Sequence, residues 1–116
     1  MQTINNWVFY KDASAASTSA DMKPYVNVQS DLLAVEVSGT ATSMTIKMQG
    51  RTNNENNDEW FDLACIDATT FDVKQSISST GIYNVAIDGV KEVRANITAV
   101  SGGSVTIFGC AVNTGV

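Results

Sequence analysis

Two runs decide the fold: Leu32-Leu33-Ala34-Val35-Glu36-Val37-Ser38 and Ser43-Met44-Thr45-Ile46-Lys47-Met48-Gln49. In the first, Leu33, Val35 and Val37 alternate with Ala34, Glu36 and Ser38. In the second, Met44, Ile46 and Met48 alternate with Thr45, Lys47 and Gln49. A side-chain period of two puts one set on a dry face and the other on a wet face, as in a half-buried strand. Arg51 to Glu59 then contains no apolar residue, and Trp60-Phe61-Asp62-Leu63-Ala64-Cys65-Ile66 returns the chain to the core.

Outward from this centre the pattern repeats. Trp7-Val8-Phe9-Tyr10 reads as an aromatic strand, residues 1–6 before it as a polar N-terminal arm or a short edge piece, and residues 11–23 after it as an exposed loop rich in Ala and Ser. Interleaved Ser and Thr favour turns over helix interiors. Pro24 opens an extended segment to Val28, where a missing N–H suits an edge or a strand start. Phe71 to Ile77 alternates again, and Tyr83, Val85 and Ile87 stay in phase. Asp88-Gly89 marks a hairpin. From Glu92 to Val100 the alternation puts Val93, Ala95, Ile97 and Ala99 inward and Glu92, Arg94, Asn96 and Thr98 outward. After Ser101-Gly102-Gly103, Ser104 to Val112 closes the chain; its second half is so poor in polar residues that both faces are expected to be covered. No helical period emerges. Eight to nine short strands about ten residues apart predict an all-β protein, a single antiparallel β-sandwich over residues 1–116, C2-like or jelly-roll-like.

The totals narrow the function. A chain of 116 residues with 44% apolar content makes one domain with a real core. Seven scattered Lys and Arg and a net charge of -5 argue against nucleic acid as a partner. They argue equally against electrostatic docking to an anionic membrane. The absence of histidine removes the commonest general base and metal ligand. Cys65 and Cys110 read as two buried thiols acting as small hydrophobes, with a disulfide between packed strands as the sharper alternative. The N-terminus has neither a basic n-region nor an apolar h-region, so no signal peptide is expected.

Four carboxylates, Asp58, Glu59, Asp62 and Asp67, are the candidates for a glycosidase pair, and two of them flank Trp60. Their positions are those of a solvated hairpin. No base accompanies any Ser nucleophile, and the chain reads as a non-enzyme. Asn53, Glu55, Asn57 and Asp58 form a candidate oxygen set for Ca²⁺, although their order does not fit an EF-hand and the same residues are ordinary turn formers. Trp60 is the candidate for stacking on a sugar ring, with Trp7, Tyr10 and Tyr83 behind it; a core role is the competing reading for each. Ala34, Thr45, Thr98 and Thr106 leave outward faces with little charge. A flat uncharged β-surface calls for a cover, which self-assembly into a closed ring would supply.

Several local motifs go together: the strand Ile46 to Gly50 ending in Gly before a polar loop, Trp60 with Leu63, Gly81-Ile82-Tyr83, Val93-Arg94-Ala95, and Gly103-Ser104-Val105-Thr106. Over Leu32 to Val112 the chain resembles the XepA/YomS family of small β-sandwich proteins from phages and prophages of Gram-positive bacteria. That resemblance implies a C2-like sandwich assembled as a homopentamer. It also implies a non-enzymatic role in host-cell lysis or as a minor virion or tail component. It carries over no catalytic residue. The alternative is a carbohydrate-binding module of a phage tail that contacts cell-wall or receptor glycan through Trp60. Contact with anionic lipid would need bridging Ca²⁺. The expected location is the host bacterial cytoplasm, or the virion.

Overall fold

Leu33, Val35 and Val37 are at most 2% exposed and Met44, Ile46 and Met48 at most 5%, so the alternation at the centre of the chain is an alternation of burial. The computed structural model describes residues 4–23, 30–52 and 59–114. Its strands are β1 (Ile4–Ala13), β2 (Ser17–Thr18), β3 (Leu32–Gly39), β4 (Ser43–Arg51), β5 (Phe61–Asp62), β6 (Cys65–Asp67), β7 (Val73–Lys74), β8 (Gly81–Ala86), β9 (Glu92–Ser101) and β10 (Val105–Val112). They form a six-stranded sheet, β1-β10-β3-β8-β6-β7, and a four-stranded sheet, β2-β9-β4-β5. All neighbours are antiparallel. The antiparallel sandwich expected from the sequence is what forms. Among the described residues it counts ten strands, three of which, β2, β5 and β7, hold only two residues each.

The core lies between the sheets. The larger sheet contributes Phe9, Leu33, Val35, Val37, Tyr83, Val85 and Ile107, and the smaller Met44, Ile46, Met48, Val93, Ala95 and Ile97. Each inward Leu, Ile or Val side chain that leaves water contributes about 1.5–3 kcal/mol before the chain entropy opposing it is counted. Gly109 on β10 is required by this packing. A Cβ there would stand 2.7 Å from Phe9 Cε2 and 3.1 Å from Leu33 Cδ1, so only a bare backbone lets the Phe9 ring seat.

Several expectations need correction. Residues 4–6 follow the edge-piece reading rather than the arm: they begin β1, the edge strand of the larger sheet, where Ile4 pairs with Val112 and Asn6 with Cys110 on β10. The 11–23 segment is largely exposed, but it contains the end of β1, all of β2, and Met22, which is 2% exposed and bridged to Val93. Ala99 is exposed rather than inward. The register on β4 jumps between Thr45, which faces Ala99, and Ile46, which faces Ile97. The extra residue of such a bulge inverts the alternation beyond it. Phe71 to Ile77 yields only two strand residues, with Phe71 78% and Val73 65% exposed and Ile77 buried. Thr106, expected outward and open, is buried and accepts a hydrogen bond from Asp12 N. The disulfide alternative fails. Both cysteines are free, and they lie on β10 and β6 with β3 and β8 between them. Three strand spacings are about 14 Å, far beyond disulfide reach. The Pro24–Val28 segment falls outside the described residues.

Candidate functional site

The outer face of the smaller sheet is built from alternate residues of three strands. Register pairs Lys47 with Asn96, Gln49 with Arg94 and Arg51 with Glu92 across β4 and β9, and Gln49 with Asp62 across β4 and β5. Arg51 and Glu92 form a close ion pair, Nη2 to Oε1 3.1 Å, with the Glu92 side chain 3% exposed. Arg51 Nε also donates to Glu92 Oε1 at 3.2 Å and Nη2 to Oε2 at 3.4 Å. Asp21 stands 3.9 Å from the same guanidinium. Gln49 accepts from Arg94 Nε at 3.0 Å and donates to Asp62 Oδ1 at 2.8 Å. Lys47 reaches Asp62 at 3.3 Å. The Gln49 amide, then Lys47, hold the Asp62 carboxyl below its ordinary range.

Trp60 closes this cluster. The guanidinium carbons of Arg51 and Arg94 lie 4.2 and 4.3 Å from its ring centroid. Each such contact is worth about 0.5–2 kcal/mol. The ring expected to stack on a sugar is therefore already used by two arginines. Its residue type alone marks Trp60 in the sequence, but its partners do not stand out there, because Arg51 and Arg94 join it only through strand register.

The other candidates scatter. Asn53, Glu55, Asn57 and Asp58 lie outside the described residues. Among the described residues no group of three or more Cys, Asp and Glu stands together. Asp67 caps a turn: its Oδ1 accepts from Thr69 N and Oγ1, both at 2.8 Å, and from Thr70 N at 3.3 Å. Those donors, Thr69 first, lower its pKa. Asp62 and Asp67 thus have separate structural employments, and Glu59 is exposed. Tyr83 is fully buried and donates to Ser79 O at 2.9 Å. Tyr10 is hydrogen-bonded to Ser17, and Trp7 packs against the core.

The outer face of the larger sheet has a different chemistry. Register sets Val8, Phe108, Glu36 and Ile82 in one row across β1, β10, β3 and β8, with Asn6, Cys110, Ala34 and Asn84 in the row beside it. Val8 is 58%, Ile82 47% and Phe108 39% exposed. They line an open groove of about 380 Å³ that also takes in Trp7, Glu36 and Cys110. The second half of β10, expected to be covered on both faces, forms part of this open surface through Phe108. Among the described residues, Glu36 has no ion pair or side-chain hydrogen bond. Cys110 is half-buried here, whereas burial pushes the Cys65 thiol on the inner side up to about 11. The period of two in the sequence marks Glu36 as outward; only the register brings an aromatic and two aliphatic residues alongside it.

One side edge of the sandwich is apolar as well. Two residues, Leu63 and Ala64, join β5 in one sheet to β6 in the other, so both sheets end here. Phe61 is 64%, Val73 65% and Phe71 78% exposed along this edge. Phe71 sits at φ 64°, in the left-handed region, its N–H donated to Asp67 O at 2.8 Å.

Comparison with known proteins agrees with this geometry. The family model described as XepA matches residues 3–111. The crystal structure of the SPBc2 prophage-derived protein YomS superposes with a TM-score of 0.85 at 24% identity, covering 97% of this chain and 96% of that one. The PBSX exported protein XepA superposes with a TM-score of 0.86 at 23% identity over 97% of this chain, which spans only 38% of XepA. Identities this low speak for the fold. Export is a property of the PBSX protein, and it lends no support to the cytoplasmic placement expected from the sequence. No curated protein sequence matches.

Proposed function

The chain belongs to the XepA family of phage and prophage proteins, and from that premise we propose that it works by docking to copies of itself rather than by catalysis. The observation that carries this reading is the apolar edge at β5, β6 and β7, where Phe61, Phe71 and Val73 are each more than 60% exposed in a chain of net charge -5. Exposed aromatic clusters on soluble proteins mark interaction sites. The opposite edge offers the long β1, paired among the described residues on one side only, to β10. Joining one edge to the other edge of a neighbour is a head-to-tail contact, and such contacts close into rings when the rotation allows. The ring is proposed to serve as a minor virion or tail component, or in host-cell lysis.

Native mass spectrometry at micromolar concentration tests this reading. A closed homo-oligomer, a pentamer by the family resemblance, is the expected result, with a monomer for the double variant Phe61→Ser/Val73→Ser. A monomeric wild-type chain refutes it. Leakage of anionic liposomes, measured with and without Ca²⁺, tests the lytic branch and the 53–58 loop together. The glycan-binding alternative has less support, because a sugar would have to displace at least one guanidinium from Trp60.

A further inference from the structure

We propose that the groove on the outer face of the six-stranded sheet binds an organic ammonium group. The lining combines three features that together select this chemistry. Glu36 places one carboxylate in the row Val8-Phe108-Glu36-Ile82, with no counter-charge among the described residues. Phe108 is directly opposite Glu36 on the neighbouring strand, at the separation of about 5 Å usual for cross-strand pairs. Val8 and Ile82, with Trp7 beside them, complete an apolar lining.

An alkali cation has no reason to choose this place, because a single carboxylate does not replace its hydration shell. A neutral apolar molecule gains the wall but leaves the carboxylate partly desolvated and unpaired. An alkylammonium gains both: its charge meets Glu36 and the Phe108 ring, and its alkyl groups cover the aliphatic wall. The volume of about 380 Å³ lies within the range of small-ligand sites. The groove opens on the outer face of β1, β10, β3 and β8, whereas the ring proposed above uses the backbone side of β1 turned away from β10 and the edge at β5, β6 and β7, so the groove side chains stay available to a ligand.

The test is a two-dimensional NMR titration of the full chain with tetramethylammonium, using tert-butanol as a neutral probe of similar size. Saturable shifts confined to Val8, Ala34, Ile82 and Phe108 are expected, with Kd on the order of millimolar. The same titration should be weakened about tenfold by Glu36→Gln and about threefold by Phe108→Leu, with tert-butanol giving no saturation. In a parallel measurement that needs no variant, tetramethylammonium should slow alkylation of Cys110. Equal responses to the two probes, an unchanged affinity in Glu36→Gln, or shifts centred on Trp60 would overturn the proposal. So would a Glu36→Gln protein that precipitates while its soluble fraction titrates as the wild type does. That result would make Glu36 a guard against face-to-face aggregation. Protection of the groove by self-association, seen as loss of all probe shifts in the oligomer, also refutes it.

Discussion

The two outer faces of the sandwich use their charges in opposite ways. On the four-stranded sheet, Lys47, Arg51 and Arg94 meet Asp21, Asp62, Glu92 and Gln49, and every one of these groups has a partner. On the six-stranded sheet, Glu36 has no charged partner among the described residues and stands between Phe108 and Ile82. A charge network whose members are mutually satisfied is a structural device, costly to break and with little left over for a ligand. A lone exposed carboxylate contributes little to the fold and is available to something else. Function is therefore better sought on the plainer face than on the face with more chemistry.

Removing one partner from each face tests this contrast most sharply. Glu92→Ala removes the close carboxylate partner of the Arg51 guanidinium, with Asp21 at 3.9 Å too distant to replace it, and a loss of about 3 kcal/mol is expected in urea unfolding. A loss below ~1 kcal/mol would mean that the network is no stronger than an exposed ion pair. Next in size is a pH effect from the inner side of the larger sheet. The Cys65 thiol is raised from 9.0 to about 11, so the folded state keeps a proton that the unfolded chain gives up. Its contribution is fully present below pH ~9 and is lost as pH rises towards ~11, by about 2 kcal/mol. Urea midpoints at pH 8 and 10.5 should show that decline, and Cys65→Ala should lack this part of it. Cys110, on the groove face, should react with a thiol reagent in the folded protein while Cys65 waits for unfolding.

Smaller changes are expected where the chain is exposed. Phe71→Asn should stabilise the monomer by up to ~1 kcal/mol, since Asn tolerates the left-handed region better than Phe does. The same substitution should weaken self-association in sedimentation experiments if the apolar edge is the contact. Glu36→Gln should move the unfolding free energy by no more than ~0.5 kcal/mol. A larger loss would show that Glu36 has a structural partner after all and would erase the contrast between the faces.

Much of this was legible beforehand. The inward positions of β3, β4 and β8 follow from alternation alone, because a strand has only two sides and water selects between them. Two kinds of error are equally instructive. Ala99, inward by simple alternation, is exposed because a bulge on the β4–β9 pair shifts the phase, and a bulge adds a residue that looks like any other in the sequence. The strand after Phe71 shrank to two residues because the Asp67 turn holds Phe71 in the left-handed region, a conformation its residue type does not announce. At the candidate sites, Trp60 stood out by its chemistry, but its arginine neighbours are nine residues before it and thirty-four after it in the chain.

The sequence by itself determined an all-β, two-layer protein with a dry interior and an acidic balance, since period and composition are local properties. Only the tertiary structure decided which outward residues share a surface. That choice depends on strand order and register, which join residues from distant parts of the chain. So Trp60 became part of a closed network, and Glu36 became, among the described residues, the one charge lining an open apolar groove.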